Sequence, residues 1–313
     1  MGIDFHFSTL FQQIVNGLSL GSVYALIAVG YSLVYSILSF SNFAHGGFLV
    51  VGGYICYGLV SGFTIPLLGG HSLSVPALDN IWIVSVAALI GAGVVAILTE
   101  RLAYRPIRER TSMTLYLLIA SMGVSIVIEN VFVIVVGGQF RALPQRLFPA
   151  VPFTLGGVTL SLLDIFSLGA AVIFLGGLQL FLVKTRWGLA IRAAAYDLRT
   201  AGLMGVNVSL LIGIVFFVAG VLAAIGGIFL SFRYSLYPQL GSFTTKAFVA
   251  AVIGGLGSLP GAVVGSLILG LAEMLVTGFI SSQMRDFVVF SLLVLMLLVR
   301  PTGFFGKQIS DKI

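Results

Sequence analysis

The chain has 313 residues, of which 59% are hydrophobic and only 8% charged, 16 basic against 10 acidic. A soluble domain carries about 25% charged residues, so this composition excludes an ordinary cytosolic enzyme, a disordered protein and a nucleic-acid binder. The net charge of +6 is not gathered into the basic stripe that phosphate tracking needs, and no nucleic-acid partner is expected. At ~20 apolar residues per span, the chain has material for roughly eight to ten membrane-crossing helices.

Met1–Phe7 lacks the positive n-region of a cleaved signal peptide. His6 stands where N-myristoylation wants Ser or Thr. The first apolar run is therefore expected to stay as a membrane segment. That run, Leu10–Leu38, is too long for one upright span; it reads as one tilted helix or as a pair broken near Gly30. Ala44–Val60, Ile81–Leu98, Leu115–Val136, Leu160–Val183 and Leu210–Leu230 follow at membrane length. Ala247–Phe279 carries Gly254, Gly255, Gly257, Pro260, Gly261, Gly265 and Gly270, and Phe287–Val299 stops at Arg300-Pro301. The 39 glycines suit a membrane bundle, where small residues let helix backbones approach. Cys56 is the single cysteine; it permits no internal disulfide and reads as a small apolar residue on a membrane helix. The expectation is an all-α, polytopic membrane helix bundle, one transmembrane domain over residues 1–313 in a lipid bilayer, including a broken or re-entrant hairpin.

Basic residues accumulate on cytoplasmic loops. Eleven of the 16 fall in three places: Arg101, Arg105, Arg108 and Arg110; Lys184, Arg186, Arg192 and Arg199; and Arg300, Lys307 and Lys312. These places are assigned to the cytoplasm, and the Phe63–Asn80 and Gly138–Thr159 loops then lie outside. The loop Arg233–Thr245 should also lie outside and the tail inside, so an odd number of crossings separates them. Phe287–Val299 supplies one. Ala247–Phe279 must supply two, or a re-entrant pair, with the helix broken at Pro260-Gly261. Irregular backbone at membrane depth is tolerated only inside protein or beside a wet cavity, which makes this hairpin a candidate translocation element. Phe43–Gly53 and Ala247–Gly257 echo each other, both leading into a Gly-Gly step. Repeats of this kind are common in transporters, and a glycine-rich chain also produces them by chance. Gly257, Gly261 and Gly265 recur every four residues, as a close-packed hairpin at a gate or dimer seam, or as ordinary small-residue packing.

No Gly-x-x-x-x-Gly-Lys-Ser/Thr or His-Glu-x-x-His motif occurs, and His6, His45 and His71 lie far apart. No metal or catalytic site is expected. The loop from Lys184 to Asn207 is more informative. Leu189–Leu203 has high helix propensity, with Gly202 and Gly205 as stop signals. Arg192, Tyr196 and Arg199 at i, i+4 and i+7 would share one face. Trp187 reads as an interfacial anchor. The segment reads as a surface helix with snorkelling arginines or as a docking helix.

At this point the residues resemble a family. Asn16-Gly-Leu-Ser-Leu-Gly-Ser-Val-Tyr-Ala-Leu-Ile-Ala-Val-Gly-Tyr31 and Ser41-Asn-Phe-Ala-His-Gly46 are similar to the opening of branched-chain amino-acid ABC importer permeases. Arg186–Asn207 is similar to their cytoplasmic coupling loop, and Ala251–Ala262 and Arg300–Gly306 to their C-terminal blocks. The resemblance covers nearly the whole chain and is nearest the shorter, LivH-type member of the LivH/LivM pair. It implies a prokaryotic inner-membrane subunit with no cofactor and no ATPase site of its own. It implies a longer, LivM-like sister permease in a heterodimer, two cytoplasmic ATP-binding subunits and an extracytoplasmic substrate-binding protein. Arg192, Tyr196, Asp197, Arg199, Gly202 and Gly205 are then assigned to ATPase coupling. The implied cargo is a branched-chain or related aliphatic amino acid; relatives for urea and short amides share the blocks. A self-sufficient secondary transporter or channel, with Glu129 and Glu273 on an ion path, is the competing class.

Candidates for the substrate pathway are Asn16, Tyr24, Asn42, His45, Glu129 and Glu273. An ionisable residue inside a membrane segment is a functional candidate because it is costly there. Structural pairing competes with substrate contact for both glutamates. For His45 a buried hydrogen bond to backbone near the Asn42–Gly46 turn competes likewise.

Overall fold

The computed structural model describes residues 7–66, 72–75, 77–78, 80–111, 113–144, 153–155 and 157–306. His6, His71, Lys307 and Lys312 lie outside the described residues. The helices in chain order are α1 (Phe7–Leu38), α2 (His45–Ser61), α3 (Ile81–Thr99), α4 (Arg105–Arg110), α5 (Thr114–Val136), α6 (Leu162–Lys184), α7 (Arg186–Tyr196), α8 (Leu198–Leu203), α9 (Val208–Tyr234), α10 (Phe243–Gly254), α11 (Leu259–Phe279) and α12 (Arg285–Val299). Two antiparallel hairpins interrupt them: β1 (Phe63–Pro66) on β2 (Ser72–Val75), and β3 (Phe153–Leu155) on β4 (Val158–Leu160). Among the described residues seven helices are long and apolar enough to cross a membrane; α2 is apolar but shorter, at 17 residues. The first apolar run is one helix of 32 residues, unbroken at Gly30.

The chain forms two compact units from interleaved segments. One comprises residues 37–147 and 179–244, and α2, α3 and α9 are its packed centre. Glycines permit that packing. A Cβ on Gly52 would lie 2.6 Å from Ala224 Cα, and one on Gly220 would lie 2.8 Å from Ala96 Cβ. Val51, Ala92 and Ala224 are buried there together. Gly52-Gly53 thus sits inside an unbroken α2, whereas Gly254 closes α10. The two Gly-Gly steps play different structural parts, and the sequence echo has no counterpart in local structure.

The other unit comprises residues 1–36, 148–178 and 245–313. Within it α1 and α11 run antiparallel: Gly17 lies against Leu271, and Gly21 against Ser266 and Leu267. A Cβ on Gly270 would sit 2.5 Å from Gly21 Cα, so the two backbones touch where side chains would hold them apart.

The hairpin breaks at 255–258, not at Pro260-Gly261 as expected. Pro260 occupies the first turn of α11, where its missing N–H is no loss. Gly255 and Gly257 supply the turn, with φ of 106° and 83°. The 12 residues of α10 reach only about 18 Å, too short to cross a bilayer core of ~30 Å.

Candidate functional site

Charges meet around Glu273. On antiparallel helices each side chain leans toward its own N-terminus, so Tyr24 of α1 and Glu273 of α11 converge. Tyr24 Oη donates to Glu273 Oε2 at 2.9 Å. Lys246 Nζ of α10 lies 2.9 Å from Glu273 Oε1, and Arg285 Nε of α12 lies 3.3 Å from the same oxygen. Lys246 also reaches Asp286 Oδ1 at 2.7 Å. Glu273 is fully buried, as is Tyr24. Burying a carboxylate is tolerated only when charge partners and hydrogen bonds replace its water, and this one has two cations and a phenol. The sequence candidates Tyr24 and Glu273 are therefore brought together. Lys246, Arg285 and Asp286 complete the cluster and were not read from the sequence. Lys246 lies at the edge of an apolar run and reads there as the end of the preceding loop.

Asn16 accepts from Gln12 Nε2 at 3.0 Å, and Gln12 in turn spans to the backbone of Thr159. Beside this lies a second buried polar group missed in the sequence. Asp164 accepts from Ser19 Oγ and Ser161 Oγ, both at 2.6 Å.

Asn42 and His45 stand together in the other unit. Asn42 Oδ1 accepts from Tyr104 Oη at 2.8 Å and from Ala44 N at 3.2 Å. His45 N donates to Asn42 O at 3.2 Å, and the imidazole stands edge-on to Phe48. Asn42 shapes the entry to α2, and Tyr104, held between Phe40 and Phe216, fixes Asn42. Nearby, Arg108 Nη2 pairs with the buried Glu100 at 3.0 Å across a π-helical turn, Glu100–Tyr104. Glu129 is half-buried on α5, with Ser125 Oγ at 3.4 Å.

The Lys184–Asn207 loop is two helices, not one. Asp197 leaves helical geometry at φ −153° and caps α8. Its Oδ1 accepts from Arg199 N at 2.9 Å and Thr200 N at 3.1 Å, and Thr200 Oγ1 donates to Oδ2 at 2.6 Å. The uninterrupted face expected for Arg192, Tyr196 and Arg199 is broken here, because Asp favours a cap over a helix interior. Gly202 lies within α8, and the stop is made by Gly205 at φ 90°. Arg192, Tyr196, Asp197 and Arg199 are exposed, with Tyr196 at 83%, while Gly188, Ile191 and Ala194 of α7 are buried. Thr185 Oγ1 caps α7 by accepting from Gly188 N at 2.9 Å. A Cβ on Gly188 would lie 2.5 Å from the carbonyl carbon of Leu182, so this glycine closes the joint between α6 and α7.

The hairpin and the tail interlock. Phe304 N donates to Ile253 O at 3.0 Å and Phe305 N to Gly254 O at 2.9 Å, which satisfies carbonyls that α10 leaves open at its C-terminus. A Cβ on Gly303 would lie 2.5 Å from Gly255 Cα. Gly265 packs on Ala250 and Gly254, and Gly261 on Gly254, so the glycine stripe of α11 is occupied by α10 of the same chain. Among the described residues no group of His, Cys, Asp and Glu could hold a metal ion.

A family model described as "branched-chain amino acid transport system / permease component" matches residues 13–298. The high-affinity branched-chain amino acid transport system permease protein LivH of Salmonella typhimurium is 38% identical, with 96% of this chain and 97% of that protein covered. Its Escherichia coli K12 counterpart is 37% identical over the same shares. BraD of Pseudomonas aeruginosa, a permease protein of the same description, is also 37% identical over 96% and 97%. No solved structure matches. With the match running through nearly all of the membrane helices described above, the chain belongs to the branched-chain amino acid transport permease family.

Proposed function

We propose that this chain is the translocation subunit of a binding-protein-dependent ABC importer in the inner membrane of a prokaryote. It forms one transmembrane domain that carries branched-chain or related aliphatic amino acids inward. Two partner subunits hydrolyse the ATP, a LivM-like sister permease completes the channel, and an extracytoplasmic protein delivers the cargo. The observation that carries this reading is end-to-end similarity to permeases named for high-affinity branched-chain amino acid transport.

The Lys184–Asn207 loop suits coupling. Arg192, Tyr196 and Arg199 are exposed and available to a cytoplasmic ATPase. Asp197, Gly202 and Gly205 set the shape of the lever. The Thr185 cap and the tight fit of Gly188 make the joint to α6 stiff, and Asn207 caps α9 by accepting from Leu210 N at 3.1 Å. Motion imposed on α7 and α8 is thereby passed to the membrane helices, and alternating access follows from rocking of helix bundles. Glu273 is engaged by two cations of the same chain, an arrangement that reads as structural pairing and favours an ATP-driven importer over a secondary transporter. Tyr24 and Glu273 are retained beside the pathway, with Asn16, Asn42, His45 and Glu129 as further candidates.

The test is uptake by the complete importer in proteoliposomes, with leucine, urea and acetamide offered in turn. Leucine uptake that needs both ATP and the binding protein is expected. Uptake of urea or acetamide in its place would refute the substrate assignment.

A further inference from the structure

The four charges on α10, α11 and α12 are not equivalent. Glu273 is fully buried and already faces Lys246, Arg285 and Tyr24. Asp286 is 68% exposed and reaches Lys246 Nζ at 2.7 Å from the first turn of α12. Lys246 and Arg285 are 13% and 20% exposed. Lys246 thus pairs with one buried carboxylate and one at the solvent edge, and Arg285 pairs with the buried one. The edge carboxylate exchanges easily, since water solvates it when it leaves and an exposed ion pair is weak.

The place that Asp286 occupies suits another carboxylate. It offers a mostly buried ammonium and the N-terminus of a 15-residue helix. If a carboxylate replaced it on Lys246, Asp286 would remain tethered alongside, ready for an ammonium group. A zwitterion with both groups on one carbon completes this exchange, and no charge is left buried without a counter-charge. Urea and neutral amides have neither group.

We infer that Lys246 and Asp286 form a docking point for the α-carboxylate and α-ammonium of a zwitterionic amino acid, backed by Glu273 and Arg285. This deepens the proposed function and rests on it. The site recognises the amino-acid backbone, and it leaves the choice among aliphatic side chains to other parts of the importer.

The test uses the assembled importer in nanodiscs without its binding protein and reads saturation transfer from protein to leucine methyl protons. Valine in excess should displace the leucine signal. 4-Methylpentanoate, lacking the ammonium, and leucinamide, lacking the carboxylate, should displace it far less at equal concentration. Asp286→Asn should weaken the signal about fivefold, the upper end for an exposed ion pair, and Asp286→Glu should restore it. Gel filtration with the ATPase subunits checks that both variants assemble. Equal signals from the unmodified importer and Asp286→Asn, or equal displacement by valine and 4-methylpentanoate, would overturn the docking point. Failure of the proposed function is read separately, from an importer that takes up urea or acetamide and not leucine.

Discussion

At the scale of single residues, Asp197 decides the form of the Lys184–Asn207 loop. Its carboxylate accepts the first free N–H groups of α8 and the hydroxyl of Thr200. Asp197→Ala should cost about 1 kcal/mol of local helix stability and reduce binding-protein-stimulated ATP hydrolysis, while Asp197→Asn should keep most of it; an ATPase assay on the reconstituted importer compares them. Glu273 carries a different kind of weight. Breaking a buried pair by removing one partner costs about 3–5 kcal/mol, so Glu273→Gln should lower the thermal unfolding midpoint clearly. Adding Lys246→Gln should recover part of the loss, because one uncompensated cation is then removed as well. If Glu273→Gln melted at the unmodified temperature, the cluster would not be holding α10 to α11. The cap was readable beforehand, since Asp ahead of a helical stretch is a helix-start signal. The helix propensity of the alanine run masked it. Glu273 was legible because an intramembrane carboxylate stands out, but Lys246 and Arg285 were not. Their importance comes from a fold that brings distant segments together, and spacing in the chain does not encode that.

At the scale of elements, the α10–α11 hairpin is held from two sides. Gly261 and Gly265 let α10 lie directly on α11, and the 303–306 tail caps the end of α10. Gly255 has φ 106° and sits against the backbone of Gly306. A side chain there costs roughly 1–2 kcal/mol from the left-handed conformation alone, before any clash. Gly255→Ala and Gly303→Ala should therefore each loosen the tail, seen as faster proteolysis at the C-terminus of the purified protein; protease resistance equal to the unmodified chain would show that the interlock is dispensable. The helix positions themselves were legible. Runs of membrane length marked every long helix, because lipid demands an uninterrupted apolar surface and leaves few alternatives. The exact break in the hairpin was not, because Pro260 is tolerated in a first helical turn and the decisive signal was the positive-φ glycine before it. The long first run was ambiguous for a similar reason: an internal glycine permits a break without requiring one.

At the scale of the whole molecule, the proposed function makes the chain a conduit worked by a lever. Seven of its described helices are apolar enough to span a membrane, and its Lys184–Asn207 loop is a capped, stiffly jointed pair of short helices with exposed arginines. Charge reversal at Arg192 and Arg199 together should leave insertion intact and lower coupled ATP turnover severalfold, in line with the loss of two exposed ion pairs of about 0.5 kcal/mol each; normal coupling in that double variant would displace the docking surface to another part of the chain. The family was legible from ordered sequence blocks, since the Arg186–Asn207 loop, the hairpin and the tail are all local motifs. The charged cluster around Glu273 became visible only in three dimensions.

The central claim is that the energy for transport comes from partner subunits through this loop. It is tested most directly by radiolabelled leucine uptake into proteoliposomes that hold either this chain alone or the complete importer. The account predicts uptake only by the complete importer, only with ATP inside the compartment that the ATPases face, and no uptake by the chain alone under an imposed proton or sodium gradient. Gradient-driven accumulation of leucine by the chain alone would contradict it.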